Sequence, residues 1–418
     1  MADNGRYLLP LLFVGLVAQA ETGAPAEAWT PAATLKEALK ANPGLMAQKA
    51  EKESAQAAVL SKYSLDNPRV GLMQEPANMQ SWTLSQEVMF PTKYISMGSM
   101  QRSKARMVKE EYNDKQWEVR QKALTQYYNL YTKQRISALL LAQKETLREI
   151  SRVVEARRAT GAVPQQDEMK AHVEQTKIES EILLMNQEVT EAQASLNELL
   201  NRTPEAEFDL PGKDFAVPQI QKSERQILEL APQNSKIIAA QSAARDEAQS
   251  AKNLAMMSYL PDFMFSYKKP YGPNAPANDS TFGVEMTIPL WFFTKQISEV
   301  SAASAKVRAA DSHLLQTRRE VDARAKTLYS KSKTLADLIK IHQTALIPQA
   351  TSALNSSRAA YGAGRVGFQE LLDAERSLYS VRMDYYRNLA RYVDALSDLE
   401  RTVGVPISDL PFEGDLHE

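Results

Sequence analysis

Two carboxylates in the last quarter of the chain, Glu370 and Asp373, have a spacing that could do chemistry. They lie three residues apart, so on a helix they share one face. A carboxylate pair can act as acid and base in a hydrolytic cleft. Near the start of a helix, an acid can also simply stabilise the helix dipole. The surrounding sequence predicts helix rather than a cleft, which disfavours the hydrolytic interpretation.

Other chemistries have less support in the sequence. The chain has no Cys and a net charge of −1, so thiolate metal sites and a strongly basic nucleic-acid face are both excluded. No P-loop or Gly-x-Ser-x-Gly motif is present, and the Met256–Met257 pair is typical of ordinary packing. We predict a protein that is not an enzyme and carries no cofactor. None of the four histidines has a second at metal-ligand spacing: His172, His313, His342 and His417.

The segment that holds the carboxylate pair has a counterpart earlier in the chain. "YGAGRVGFQELLDA" begins at Tyr361 and "RATGAVPQQDEMKA" begins at Arg158, 203 positions before it. Each has a Gly-centred break followed six residues later by an acid. We therefore predict an internal repeat, with residues 21–213 as the first unit and 214–418 as the second. The matched residues are Gly161 and Gly364, Val163 and Val366, Asp167 and Glu370, and Ala171 and Ala374.

The first twenty residues have the pattern of a secretory signal peptide. Arg6 supplies a positive charge, "YLLPLLFVGLVA" an apolar core, and "AQA" a small-residue cleavage site ending at Ala20. The apolar run is shorter than the ~20 residues that span a bilayer as a helix. We therefore predict cleavage after residues 1–20, and export across the inner membrane.

Two very long helical runs flank the Gly-centred breaks. We predict long helices over about 92–160 and 292–360, each followed by a shorter helix, over about 166–201 and 366–403. Both long runs are rich in strong helix formers. A 65-residue helix extends ~98 Å, so an extended coiled bundle is required rather than a compact domain. Pro348 is expected to kink the second long run.

Period-two patterning appears only in two pairs of segments before the long helices. We predict strands at about 68–76 and 82–91, and at about 261–270 and 280–290. A strand of about ten residues is long enough to cross a bilayer at a tilt. A soluble antiparallel sheet over a core fits the alternation equally well, but it leaves unexplained why the only strands form two widely separated pairs.

In this order of elements the chain resembles the TolC-type outer-membrane efflux proteins. The resemblance covers about residues 30–410. It rests on "SQEVMFPTK" and "GVEMTIPLW", which lead from strand to long helix, and on the two Gly-centred breaks. The most specific piece is the Tyr-x-x-Gly break at Tyr361, followed by the helix start "QELLDAERSLY". The compact length, the absence of a lipid-bearing Cys and the expected kink at Pro348 are also loosely similar to the cobalt–zinc–cadmium subgroup.

The resemblance implies a mainly α fold with a small β part. Long antiparallel helices would form a coiled-coil tube, and the four strands of each chain would join a homotrimeric twelve-stranded β-barrel in outer-membrane lipid. Elementary physics agrees, because four strands alone leave open edges in lipid. The implied partners are a periplasmic adaptor protein and an inner-membrane pump, with most of the helical part in the periplasm.

The resemblance also implies roles for residues at the breaks. Glu370 and Asp373 fall where family members place acidic rings that narrow the periplasmic entrance. Asp167, Tyr361 and Arg365 match positions that help to close it. The family's Arg stands two residues after the Gly, where this chain has Val366, and this weighs against a closing bond through Arg365. The predicted adaptor-contacting tips comprise Thr160, Gly161, Ala162, Val163, Ala363, Gly364, Arg365 and Val366.

The predicted function is therefore a passive trimeric duct across the periplasm and outer membrane. It would export small molecules or metal cations delivered by the pump and adaptor. Two alternatives remain: a type I secretion duct that exports polypeptides through the same fold, and a soluble periplasmic coiled-coil scaffold.

Overall fold

A computed structural model describes residues 29–411, except 76–78, 162, 213–214, 274 and 276–278. The predicted signal peptide, residues 1–20, lies outside the described residues. The described chain is mainly helical, with one four-stranded antiparallel sheet, and this confirms the predicted mainly α fold with a small β part. Within this part of the chain, no helix is both long and apolar enough to cross a membrane.

The elements run through the chain in two similar successions. The first comprises α1 Pro31–Ala41, α2 Pro43–Ser61, β1 Arg69–Glu75, β2 Met79–Val88, α3 Pro91–Ala159 and α4 Gln165–Leu199. The second comprises α5 Glu224–Asn234, α6 Lys236–Met257, β3 Phe263–Tyr271, β4 Thr281–Met286, α7 Lys295–Ile341, α8 Ile347–Gly362 and α9 Phe368–Val403.

The long helix α3 has 69 residues and therefore extends ~104 Å. Pro91 stands in its first turn, where the missing N–H breaks no intrahelical bond. Two arginines in the last turn, Arg157 and Arg158, complement the negative end of the helix dipole. Glycine then ends the helix, because Gly161 has φ +74, a conformation that L side chains rarely adopt.

The second long run is interrupted where one continuous helix was predicted over about 292–360. A π-helical turn, His342–Leu346, separates α7 from α8. Pro348 follows in the first turn of α8, and its ring would collide with the carbonyl four residues earlier in a regular α-helix. The wider π turn accommodates the proline, so the chain stays helical on both sides.

The sheet has the order β1-β2-β3-β4, so β2 of the first succession pairs with β3 of the second. Its register aligns four apolar side chains across one face: Val70, Leu84, Tyr267 and Phe282. Val70 and Phe282 are 72% and 68% exposed, so no described part of the chain covers these two side chains. The opposite face carries polar residues, for example Thr83 opposite Lys268.

The fourth strand is shorter than the predicted segment at about 280–290. It ends at Met286, and the Thr287 N–H donates to the carbonyl of Asp262 at 2.9 Å. Pro289 follows and has no N–H for a ladder bond, which explains why pairing does not continue.

A buried belt near the middle of the bundle holds the connecting segments. The Tyr127 hydroxyl donates to the Trp29 carbonyl at 2.7 Å, and the Tyr392 hydroxyl donates to the Pro218 carbonyl at 2.7 Å. Arg120 pairs with Glu400 in the same region, and both side chains are almost fully buried. These bonds attach the N-terminal segment and the linker between the two successions to the helices. Arg120 Nη2 attaches the C-terminal segment by donating to the Pro411 carbonyl at 3.1 Å.

Candidate functional site

The candidate site lies at the tips of two helical hairpins. Hairpin 1 consists of α3 and α4, and hairpin 2 of α8 and α9. Both tips use the same backbone turn, in which Gly161 has φ +74 and Gly364 has φ +71. The Gly161 N–H donates to the Arg158 carbonyl at 2.8 Å, and the Gly364 N–H to the Tyr361 carbonyl at 3.0 Å. The same type of glycine turn therefore reverses the chain at both tips.

The matched acids after the two turns have different local partners. The Glu370 carboxylate accepts a hydrogen bond from the Gly367 N–H and so caps the start of α9. Asp167 occupies the matching position in α4, but there the cap residue is Pro164, which has no N–H to donate. Asp167 is therefore left without this capping bond and remains half-buried beside the second hairpin.

Tyr361 joins the two hairpins. Its side chain is 4% exposed and packs against Phe368, with ring centroids 6.2 Å apart. Arg157 of hairpin 1 lies 4.9 Å from the Tyr361 ring centre, and its Nη1 donates to the Tyr361 carbonyl at 2.6 Å. Burial raises the pKa of Tyr361, nearby Asp167 raises it further, and Arg157 opposes both.

Sequence reasoning missed Arg157, and it named Arg365 among the closure residues although Val366 occupies the position of the family's Arg. The Arg365 side chain is exposed, and its guanidinium has no hydrogen bond or ion pair with the described part of the chain. Its backbone N–H donates to the Ala360 carbonyl at 2.9 Å. The sequence did contain a signal for Arg157, which is a basic residue in the last turn of the first long helix. Tyr361 stands at the matching break in the second half, and an arginine can bind the face of an aromatic ring. The closure role of Asp167, Tyr361 and Arg365 stays a prediction.

Glu370 and Asp373 both lie on α9, three residues apart as predicted, and both are exposed. The Asp373 carboxylate accepts from Gln369 Nε2 at 2.9 Å and lies 3.5 Å from Arg376 Nη1. Asp373 therefore has partners on its own helix, and Glu370 has its partner at the N-cap of that helix. Their role as acidic rings around an entrance stays a prediction.

The predicted adaptor-contacting tips are small and largely exposed. Gly161, Ala363 and Gly364 are exposed, whereas Val163 and Val366 pack against the buried cluster beneath the tips. Thr160 Oγ1 donates to the Arg157 carbonyl at 2.9 Å and ties the first tip to its own helix. Ala162 lies outside the described residues. The contact role of these residues stays a prediction.

A line of polar contacts continues up the seam between the hairpins. Arg376 of α9 forms a two-point ion pair with Glu174 of α4, and Thr146 of α3 lies 3.1 Å from the Tyr379 hydroxyl of α9. In the same seam Gln143 donates to the buried carboxyl of Glu375 at 3.3 Å. None of these pairs was found from the sequence. Among the described residues, no group of three or more His, Cys, Asp or Glu side chains could hold a metal ion.

Comparison with known proteins finds a family match over part of the chain. Residues 227–405 match the family described as outer membrane efflux protein. The chain carries a domain of this family. The resemblance predicted from the sequence is therefore confirmed, and with it the predicted class of outer-membrane efflux protein.

Individual relatives extend the similarity to most of the chain. The cobalt-zinc-cadmium resistance protein CzcC of Cupriavidus metallidurans is 23% identical over 404 residues, covering 93% of this chain and 95% of CzcC. The outer membrane protein TolC of Vibrio cholerae is 21% identical over 386 residues, which cover 87% of this chain and 88% of TolC. The solved outer-membrane channel OprN has the same fold, with a TM-score of 0.77 at 16% identity over 89% of each chain.

Proposed function

We propose that this outer-membrane efflux protein is the channel of a tripartite efflux system. Three copies form a passive duct that crosses the periplasm and the outer membrane. An inner-membrane pump delivers the cargo through a periplasmic adaptor, and the duct itself performs no chemistry. The helical hairpins lie in the periplasm, with their tips toward the pump.

The observation that carries this proposal is the uncovered four-stranded sheet. One of its faces is apolar and exposed from Val70 on the first strand to Phe282 on the last. The outer strands β1 and β4 each have a partner on one side only among the described strands. In lipid such edges leave backbone groups unsatisfied, whereas twelve strands from three copies can close into a barrel.

An exposed aromatic segment at the end of the sheet also supports the placement of the sheet in the outer membrane and of the hairpins in the periplasm. Trp291, Phe292 and Phe293 follow the fourth strand and are all exposed. Aromatic residues concentrate where the apolar band of an outer-membrane barrel meets water. This segment therefore suits the boundary between the barrel and the periplasmic helices.

Similarity to a cobalt-zinc-cadmium resistance protein supports metal cations as the cargo class. The exposed acids near the tips, Glu370 and Asp373, favour cations over anions at an entrance. A polypeptide secretion duct would use the same fold, and the genes beside this one distinguish the two by the kind of pump they encode. A soluble scaffold is disfavoured by the exposed apolar sheet face.

Membrane fractionation followed by native mass measurement tests the proposal. We expect the protein in the outer-membrane fraction and, after detergent extraction, a homotrimer that conducts ions in planar bilayers. Val284→Arg places a charge on the apolar face of β4, and we expect it to abolish recovery of the trimer. Thr281→Arg is the matched control on the polar face of the same strand. A soluble protein, or a stable monomer that retains its sheet, contradicts the proposal.

A further inference from the structure

The carboxyl group of Glu375 is buried, and only one of its two oxygens has a hydrogen-bond partner in the described structure. The residue lies two turns into α9 and is 0% exposed. Its Oε2 accepts from Gln143 Nε2 at 3.3 Å, whereas its Oε1 has no partner in the described structure. An ionised carboxylate in this position is poorly compensated for its lost hydration.

The side-chain amide of Gln143 on α3 also has one buried oxygen without a hydrogen-bond partner. It is 4% exposed, its Nε2 donates to Glu375, and its Oε1 has no partner among the described residues. A protonated carboxyl group has one O–H donor, which the Gln143 amide oxygen can accept. One proton on Glu375 therefore satisfies both unpaired oxygens and gives the pair a second hydrogen bond. Without that proton the pair has one bond and two buried acceptors.

The charges that face Glu375 come from three helices. Glu174 of α4 is negative and is itself paired with Arg376 and Lys177, while Arg376 of α9 and Arg358 of α8 are positive. The facing side chain from α3 is the neutral Gln143. Burial raises the pKa of Glu375 to about 7, Glu174 adds to the rise, and the hydrogen bond from Gln143 and the two arginines oppose it. The carboxyl group therefore exchanges its proton near neutral pH.

This pair joins the two hairpins directly, since Gln143 belongs to hairpin 1 and Glu375 to hairpin 2. We propose that Gln143 and Glu375 form a proton-controlled contact between the hairpins. Protonation holds the hairpins together through two hydrogen bonds, and ionisation weakens the seam just above the tips. The proposal goes beyond transport, because it concerns the cohesion of the hairpins and does not depend on what passes through the protein.

Hydrogen exchange of the intact, detergent-extracted protein at pH 6.0 and pH 8.5 tests this contact. The readout is the protection of amides in residues 371–378 after correction for the intrinsic pH dependence of exchange. If seam opening returns Glu375 to its ordinary pKa, the protection falls about tenfold between these pH values. We expect Glu375→Gln to remove this pH response, because its side chain does not titrate and can keep both hydrogen bonds.

A matched control distinguishes this contact from a general effect of pH. Asp384 is an acid on the same helix whose ion-pair partner, Arg387, also lies on that helix. Asp384→Asn should keep the wild-type response. Glu375→Met, which also cannot titrate, replaces the Gln variant if the latter does not fold. The proposal is wrong if wild-type protection changes less than twofold, or if a folded Glu375 variant keeps the full response.

Discussion

Arg157 holds Tyr361 from two sides at once: its guanidinium lies 4.9 Å from the ring centre and donates a hydrogen bond to the backbone carbonyl of the same residue at 2.6 Å. The two residues are 204 positions apart and belong to different hairpins. This contact therefore joins the ends of the two hairpins within one chain.

Replacing this arginine should loosen the tips. We expect Arg157→Ala to destabilise the contact by about 1–2 kcal/mol, because it removes a cation–π interaction and a charged hydrogen bond. Hydrogen exchange of residues 359–364 measures the effect. Arg365→Ala is the control, since the exposed Arg365 side chain has no partner among the described residues. Equal effects of the two variants contradict the assignment of the contact to Arg157.

The ion pair between Glu174 and Arg376 predicts loss of cohesion in acid. The hydrogen bond from Arg376 lowers the pKa of Glu174 and outweighs the opposing effect of burial. A carboxyl group with a lowered pKa stabilises the fold above its ordinary pKa of 4.5, and this stabilisation is lost as pH falls through the folded value. We therefore expect seam protection to fall below about pH 4.5.

Glu174→Gln should flatten this acid limb and keep the response of Glu375, moved to lower pH because the charge of Glu174 contributes to the raised pKa of Glu375. The two acids act with opposite sign, since the raised pKa of Glu375 favours the folded seam at lower pH. Protection measured from pH 3.5 to 8.5 should therefore pass through a maximum in mildly acidic solution. A curve that rises steadily from pH 5 to pH 8.5 contradicts the opposing roles of the two groups.

Alanine substitutions at three glycines separate the cost of a positive φ from the cost of a steric clash with an added Cβ. No atom lies within 4 Å of a Cβ added at Gly161, so Gly161→Ala should cost only about 1–2 kcal/mol for its positive φ. Gly404 has φ +79, and an added Cβ would lie 2.4 Å from the backbone oxygen of Asn234, so Gly404→Ala should cost more. Gly362→Ala is the control, with open space and no positive φ. Thermal unfolding midpoints measure the order of the three variants.

The sequence predicts those features that depend on local residues. Prolines and glycines mark the ends of α3 and the two tip turns, and alternation marks the strands. The π turn at His342–Leu346 was not predicted, because the way a helix absorbs Pro348 depends on its packing. The end of the fourth strand was also misjudged, since apolar alternation continues past the residue at which pairing stops.

The contacts between hairpins could not be predicted for a different reason. Gln143 and Glu375 are 232 positions apart, and neither side chain has a sequence context that marks it as buried. Glu370 illustrates the opposite case: its position after the break correctly indicated a helix-start carboxylate, because a cap is a local structure. The predicted role of Glu370 in an acidic ring depends instead on other copies of the chain, so its local sequence cannot establish it.

The buried ion pair in the middle belt gives a final prediction. Arg120 and Glu400 are almost fully buried, and Glu400 Oε1 also accepts the N–H groups of Ile407 and Ser408 at 3.0 and 3.1 Å. Arg120→Met leaves an unpaired buried carboxylate, and we expect it to destabilise the fold by about 3–5 kcal/mol. Adding Glu400→Gln should recover part of that loss, because the amide oxygen still accepts the backbone N–H groups and has no charge to compensate. Thermal unfolding and proteolysis after residue 404 measure both effects, and a double variant no more stable than Arg120→Met shows that the charge is not the cause.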